Sequence, residues 1–108
     1  MLVVNRFRAE DEDAETFRGE VQRALELLAA RPGYVDGRVG RNVDDPSLWV
    51  LQTLWQNVGS YRRALSSYDV KLNAVPLLSR AIDEPSAYEI VTALGEIALN
   101  EAVPRSLD

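Results

Sequence analysis

The run LVVNRFR (Leu2–Arg8) is short and β-rich, and alternation puts Val3, Asn5 and Phe7 on one face of a strand and Leu2, Val4 and Arg6 on the other. The period then changes. Phe17, Val21, Ala24, Leu25 and Leu28 recur at helical spacing, while Arg18, Glu20, Gln22, Arg23 and Glu26 take the opposite side, so an amphipathic helix is predicted. The acidic run Glu10, Asp11, Glu12, Asp13 and Glu15 precedes or opens that helix, where carboxylates meet free N–H groups and the positive end of the dipole. Arg31-Pro32-Gly33 ends it: proline disfavours helical geometry at the residue before it, and glycine takes the positive φ of a C-terminal cap.

A second strand is expected from about Tyr34 to Asn42, with Val35 and Val39 on one face and Tyr34, Asp36, Arg38 and Gly40 on the other. Asp44, Asp45, Pro46 and Ser47 supply hairpin-turn chemistry. Strand 3 follows from Leu48 to Trp55, one face being Trp49, Leu51, Thr53 and Trp55, the other Leu48, Val50, Gln52 and Leu54. Asn57 is a good cap for a second helix, in which Val58, Tyr61, Leu65 and Tyr68 are expected to form the inward stripe. Asp69 is the expected cap of a further helical stretch that Pro76 should bend or restart. After Asp83-Glu84-Pro85-Ser86, the run AYEIVT (87–92) reads as strand 4. LGEIALNEAV (94–103) suggests a short helix through Leu94, Ile97 and Ala98 that needs something to dock on.

The order β–α–β–β–α–β predicts an α+β, ferredoxin-like fold: a four-stranded antiparallel sheet with both helices on one face. One domain is expected over residues 1–92, with 93–108 a helical tail of the same domain. Strand 3 is apolar on both faces, and two helices cover only one. The second face therefore predicts a homodimer that stacks two sheets into an α+β barrel.

Composition narrows the chemistry more than it names it. The 108 residues are 46% hydrophobic and 27% charged, ordinary for a globular protein. A net charge of −5 would set a phosphate-binding surface against the overall field, which argues against nucleic acid. The absence of cysteine and histidine removes thiolate metal sites, Cys nucleophiles, Ser-His hydrolysis and histidine-ligated haem. No long apolar run follows Met1, so neither a signal peptide nor a membrane is expected, and cytoplasmic is the default. Eleven arginines against the single Lys71 point to no site.

The element order, the RPG stop before a glycine-bearing strand, LWVLQTLWQN closing on tryptophan and the following YRRALSS together resemble the antibiotic biosynthesis monooxygenase family of dimeric α+β barrels, over about residues 2 to 92. That family resembles a scaffold put to several uses, among them cofactor-independent oxygenation of polycyclic phenols, haem degradation and quinol oxidation. For haem degraders the resemblance implies an Asn-Arg pair in strand 1, matched by Asn5 and Arg6, a tryptophan where this chain has Ala64, and a haem-ligating histidine where it has Ala74. Two of these three positions are lost, so a haem degrader of that type is not expected.

For the oxygenase branch the resemblance implies a pocket between helices and sheet in which an electron-rich phenol, or its enolate, reacts directly with oxygen. Asn5 is then the candidate catalytic donor, with Tyr61, Ala64 and Tyr68 as candidate substrate-binding residues. No cofactor and no metal is expected, and the partner is a small aromatic molecule. Each residue also has a plainer reading. Asn5 can satisfy a neighbouring backbone group or face water at the strand end. Trp49, Trp55, Tyr61 and Tyr68 sit at spacings that suit core packing. The acidic run lacks the spaced ligands and glycine turn of a calcium loop, and Arg38 and Arg41 suit charge pairs at a sheet edge. The expected function is a cofactor-independent monooxygenase; the alternatives are a non-catalytic small-molecule binder or accessory protein of the same fold, and a protein that acts only through its interfaces.

Overall fold

The computed structural model describes residues 1–95. β1 (Leu2–Arg8) leads through a 3-10 turn (Asp11–Asp13) into α1 (Ala14–Ala29), followed by β2 (Tyr34–Arg41), β3 (Leu48–Trp55), α2 (Val58–Ser66), α3 (Tyr68–Asn73), α4 (Val75–Leu78) and β4 (Ala87–Tyr88). The strands form one antiparallel sheet in the order β2-β3-β1-β4, the ferredoxin-like arrangement that the element order predicts. β1 pairs with β3 along its whole length, from Leu2 opposite Leu54 to Arg8 opposite Leu48.

That register sorts the side chains. Val3 and Phe7 of β1, and Trp49, Leu51, Thr53 and Trp55 of β3, are buried on the helix side with Phe17, Val21, Ala24 and Leu28 of α1. The opposite face carries Leu2, Val4, Arg6, Leu48, Val50, Gln52 and Leu54, all half-buried. Both tryptophans are core residues, Trp49 6% and Trp55 0% exposed, as packing of large aromatics on a covered face requires.

The two ends of the helix layer meet at a glycine. Gly33 has φ +91°, and a Cβ there would fall on the Cβ and Oγ of Ser60, near the start of α2. Its carbonyl accepts from the Gln56 N–H at 2.8 Å, so the turn after α1 and the turn before α2 are tied together. Asn57 caps α2 as predicted: its side-chain oxygen accepts from the Ser60 N–H at 2.8 Å and the Ser60 hydroxyl at 3.0 Å, a cap of the kind worth about 1 kcal/mol.

Four expectations need correction. A bulge between Tyr34 and Asp36 shifts the face of β2, so that Tyr34 lies opposite Trp55 on the helix side while Asp36 and Arg38 lie opposite Leu54 and Gln52 on the open side. Tyr34 therefore does not share a face with Asp36. Its hydroxyl folds back over Gly37, where a Cβ would come within 2.6 Å of both that oxygen and the Leu25 side chain.

Secondly, α2 stops at Ser66. Ser67 turns to extended geometry and donates its hydroxyl to the Ala64 carbonyl at 2.7 Å. The inward positions of α2 are Ser60 and Ala64, with Tyr61 and Leu65 packed beside them, while Val58 is 43% and Tyr68 77% exposed. Thirdly, Ser67, not Asp69, occupies the cap position of α3; Pro76 restarts the helix as the second residue of α4, as expected of it.

Lastly, β4 holds only Ala87 and Tyr88 in place of the run 87–92. Upstream, the β1 edge is held by single bonds, Val4 N–H to Ser86 O and Ile82 N–H to Arg6 O, both 2.7 Å, because Pro85 interrupts continuous pairing. Arg6 reinforces this edge with a two-pronged contact to Glu84, 2.7 Å from Nε and 2.6 Å from the terminal nitrogen. The helix expected over 94–103 lies outside the described residues beyond Gly95.

Candidate functional site

Alternation along β1 sends Asn5 to the helix side, opposite Leu51 and between the buried Val3 and Phe7. Asn5 is half-buried, and its side-chain amide makes no hydrogen bond among the described residues. An amide set among apolar side chains without an internal partner has donor and acceptor capacity for something else. Of the two plainer readings, a bond to neighbouring backbone is not found among the described residues, while access to water remains, since the half-buried amide is not sealed from solvent.

Ala64 and Tyr61 are three residues apart on α2, which packs on β3 and α3; Ala64 is 1% exposed and Tyr61 is packed against the core. The Tyr61 ring lies 5.5 Å from Trp55, and Tyr34 meets the other side of Trp55 edge-on at 5.7 Å and 87°. Burial pushes the Tyr61 phenol above its ordinary range; burial, then the Asp36 carboxylate, does the same at Tyr34. Both hydroxyls are protonated at neutral pH, as an ordinary phenol already is, and the upward shift only moves their ionisation further away. Tyr68 lies apart from Tyr61 and Ala64, because the chain turns at Ser67 and leaves its ring 77% exposed. Ala74, the position of the family's haem-ligating histidine, is a fully buried core residue.

Three clefts open elsewhere on the described surface. One of about 390 Å³ at the end of β1 and start of α1 is lined by Arg8, Glu10, Asp13, Phe17, Glu20 and Arg80, among others. A second, of about 440 Å³, includes Met1, Val58, Arg62 and Tyr88; a third, of about 370 Å³, lies along the acidic turn from Glu10 to Glu12 and the 45–47 turn. None of these three is lined by Asn5, Tyr61, Ala64 or Tyr68. Their charges are largely internally paired: Arg80 to Glu20 at 3.0 Å, Arg8 to Asp45 at 2.5 Å, Arg41 to Asp11 at 2.9 Å. Hydrogen bonds from Arg8 and Ser47 hold the Asp45 carboxyl down to about 2. Among the described residues no three carboxylates converge as a metal site would require. The reach of Arg80 over the Phe17 ring, 5.9 Å, had no signal in the sequence, since the two are far apart along the chain.

The family description "antibiotic biosynthesis monooxygenase" matches residues 1–72, two thirds of the chain. The chain belongs to that family. No curated protein sequence matches it. Among solved structures, this family member is similar to SnoaB, a cofactor-independent oxygenase from Streptomyces nogalater, at 25% identity and a TM-score of 0.71, over 88% of this chain and 96% of that one. A protein from Deinococcus radiodurans shares the fold at 19% identity and a TM-score of 0.70, covering 91% of this chain and 100% of the other. A conserved protein from Methanosarcina mazei Go1 does so at 22% identity and 0.64, covering 80% and 84%. Among the described residues of this monooxygenase-family chain, no helix is long and apolar enough to cross a membrane.

Proposed function

We propose that the protein is a cofactor-independent monooxygenase that oxidises a phenolic or polycyclic aromatic small molecule with O2, in the cytoplasm and as a homodimer. The observation that carries the reading is the likeness to SnoaB over nearly the whole of both chains, together with the family match. An electron-rich phenol loses a proton, its anion gives an electron to oxygen, and the two recombine at carbon. A protein without a cofactor contributes by holding the anion, excluding water and donating to the developing oxyanion.

In this chain the Asn5 amide has an unused donor for that oxyanion. Tyr61, protonated across neutral pH, is a second donor, and the small Ala64 leaves the α2 wall free of a bulky side chain. Among the described residues no carboxylate is hydrogen-bonded to Asn5, so the substrate is one acidic enough to ionise readily.

Oxygen uptake on flavin-free and metal-free protein, screened with phenolic substrates, tests the reading. Substrate-dependent uptake is expected, and Asn5→Ala should lower kcat by about 10²-fold, the effect of deleting one oxyanion donor. Uptake that is indifferent to Asn5→Ala in a folded protein removes Asn5 from the mechanism. Saturable binding of aromatic molecules without uptake would favour a binder of the same fold.

The dimer is proposed from the open sheet face. Leu2, Val4, Leu48, Val50 and Leu54 form an apolar field on it, bounded by the Arg6–Glu84 and Asp36–Arg38 pairs. A second copy stacking the same face would bury that field and keep the charges at its rim. Sedimentation equilibrium at micromolar concentration is expected to give twice the chain mass of 12.1 kDa; a single-chain mass throughout that range would reject it.

A further inference from the structure

The aromatic residues of the core fall into two groups of different chemistry. In one, Phe7 lies 5.4 Å from Phe17, and Phe17 lies 5.3 Å from Trp49. In the other, Tyr61, Trp55 and Tyr34 follow one another at 5.5 and 5.7 Å. Phenylalanine does not give up an electron to ordinary biological oxidants; tyrosine and tryptophan do. The second group alone is a continuous line of oxidisable rings, running from the helix wall of the proposed site to the first residue of an edge strand.

We propose that Tyr61, Trp55 and Tyr34 form a one-electron relay that drains oxidising equivalents from the interior of the protein to Tyr34. It rests on the oxygenase reading for the source of its oxidant, a peroxyl radical formed when a substrate radical that escapes recombination adds a further O2 at carbon. That peroxyl radical takes one electron and one proton and becomes the hydroperoxide. The electron comes through Tyr61 and Trp55 from Tyr34, whose hydroxyl releases its proton to water and is left as a neutral tyrosyl radical.

The surroundings of the two tryptophans suit this division. Trp55 is fully buried, and its indole N–H donates to the Thr53 hydroxyl at 2.9 Å. A neutral hydroxyl is too weak a base to keep the indole proton, so an oxidised Trp55 stays a radical cation and passes the charge on. Trp49 has the Arg41 guanidinium 4.9 Å from its ring centroid, and its buried indole N–H has no partner among the described residues. A fixed cation over the ring opposes formation of a second positive charge there.

The test supplies the oxidant directly, so that it does not depend on any oxygenase activity. The sequence has no cysteine, so Arg62→Cys gives a unique attachment point beside Tyr61 for a ruthenium polypyridyl photo-oxidant. Tyr68→Phe and Tyr88→Phe remove exposed competing phenols. After flash excitation and oxidative quenching, a radical is expected on Tyr34 by transient absorption and electron paramagnetic resonance, told from one on Tyr61 by its hyperfine pattern, and Tyr34→Phe should leave the radical on Tyr61 instead. Trp55→Phe should likewise strand it on Tyr61, whereas Trp49→Phe should leave it on Tyr34. A Tyr34 radical that survives in folded Trp55→Phe overturns the relay, as does a radical confined to Tyr61 in the parent. If Trp55→Phe does not fold, fluorinated tryptophan in the Trp49→Phe background preserves the ring and raises its potential; an unchanged rate of Tyr34 radical formation would then overturn the proposal.

Discussion

Replacing Gly33 with alanine is expected to lower the unfolding free energy by about 2–5 kcal/mol, the sum of a left-handed backbone penalty and an overpacking term. Two independent causes act at one position. The φ of +91° is one that side-chain-bearing residues rarely adopt, and the added methyl would occupy the space of the Ser60 side chain. Relief by moving α2 away would stretch the Gln56 N–H to Gly33 O bond and the Asn57 cap, which lie in the same turn. Urea denaturation of the parent and Gly33→Ala proteins measures the difference. A loss below about 1 kcal/mol, the ordinary scale of a surface substitution, would mean that the turn relaxes at little cost and is not the tie described above.

Trp55→Ala is expected to cost about 3–5 kcal/mol, the range for truncating a fully buried large aromatic. The indole is the shared contact of Tyr34 and Tyr61, so its removal empties the space between β2 and α2. It also takes the donor from the Thr53 hydroxyl, which is 2% exposed and has little water within reach. Thermal unfolding at matched protein concentration reads the effect. A loss under about 1.5 kcal/mol would show that the neighbouring rings collapse into the gap, the relaxation that makes such costs vary from site to site.

The parts of this fold that could be read in advance are those whose causes are local. The period of two fixed β3 and its tryptophan face, the helical period fixed α1, and Pro32-Gly33 and Asn57 marked two element ends through chemistry contained within a few residues. The open face followed from β3 being apolar on both sides. The family match over residues 1–72 agrees with the resemblance drawn from these segments.

What could not be read has non-local causes. The bulge in β2 depends on how Tyr34 settles against Trp55 and Gly37, contacts that exist only once the sheet has formed. The stripe assigned to α2 assumed that the helix continued to Tyr68; Ser67 ends it by capping back to Ala64 with a hydroxyl that alternation arguments do not see. Strand alternation put Asn5 on the helix side, whereas Ala64 was named from the family resemblance alone, since the stripe expected for α2 passed it over. Tyr68 was misplaced because its spacing was counted past the end of α2 at Ser66.

The bulge at Val35 also divides β2 into two frames. Before it, a residue answers to the helices: Tyr34 must fit Trp55. After it, alternate residues such as Asp36 and Arg38 answer to whatever lies on the open side. Regular alternation without the bulge would keep Asp36 and Arg38 on the side of Tyr34 and set both charges against the helix layer. The bulge thus lets an aromatic anchor and an ion pair succeed each other two positions apart, each facing its own medium.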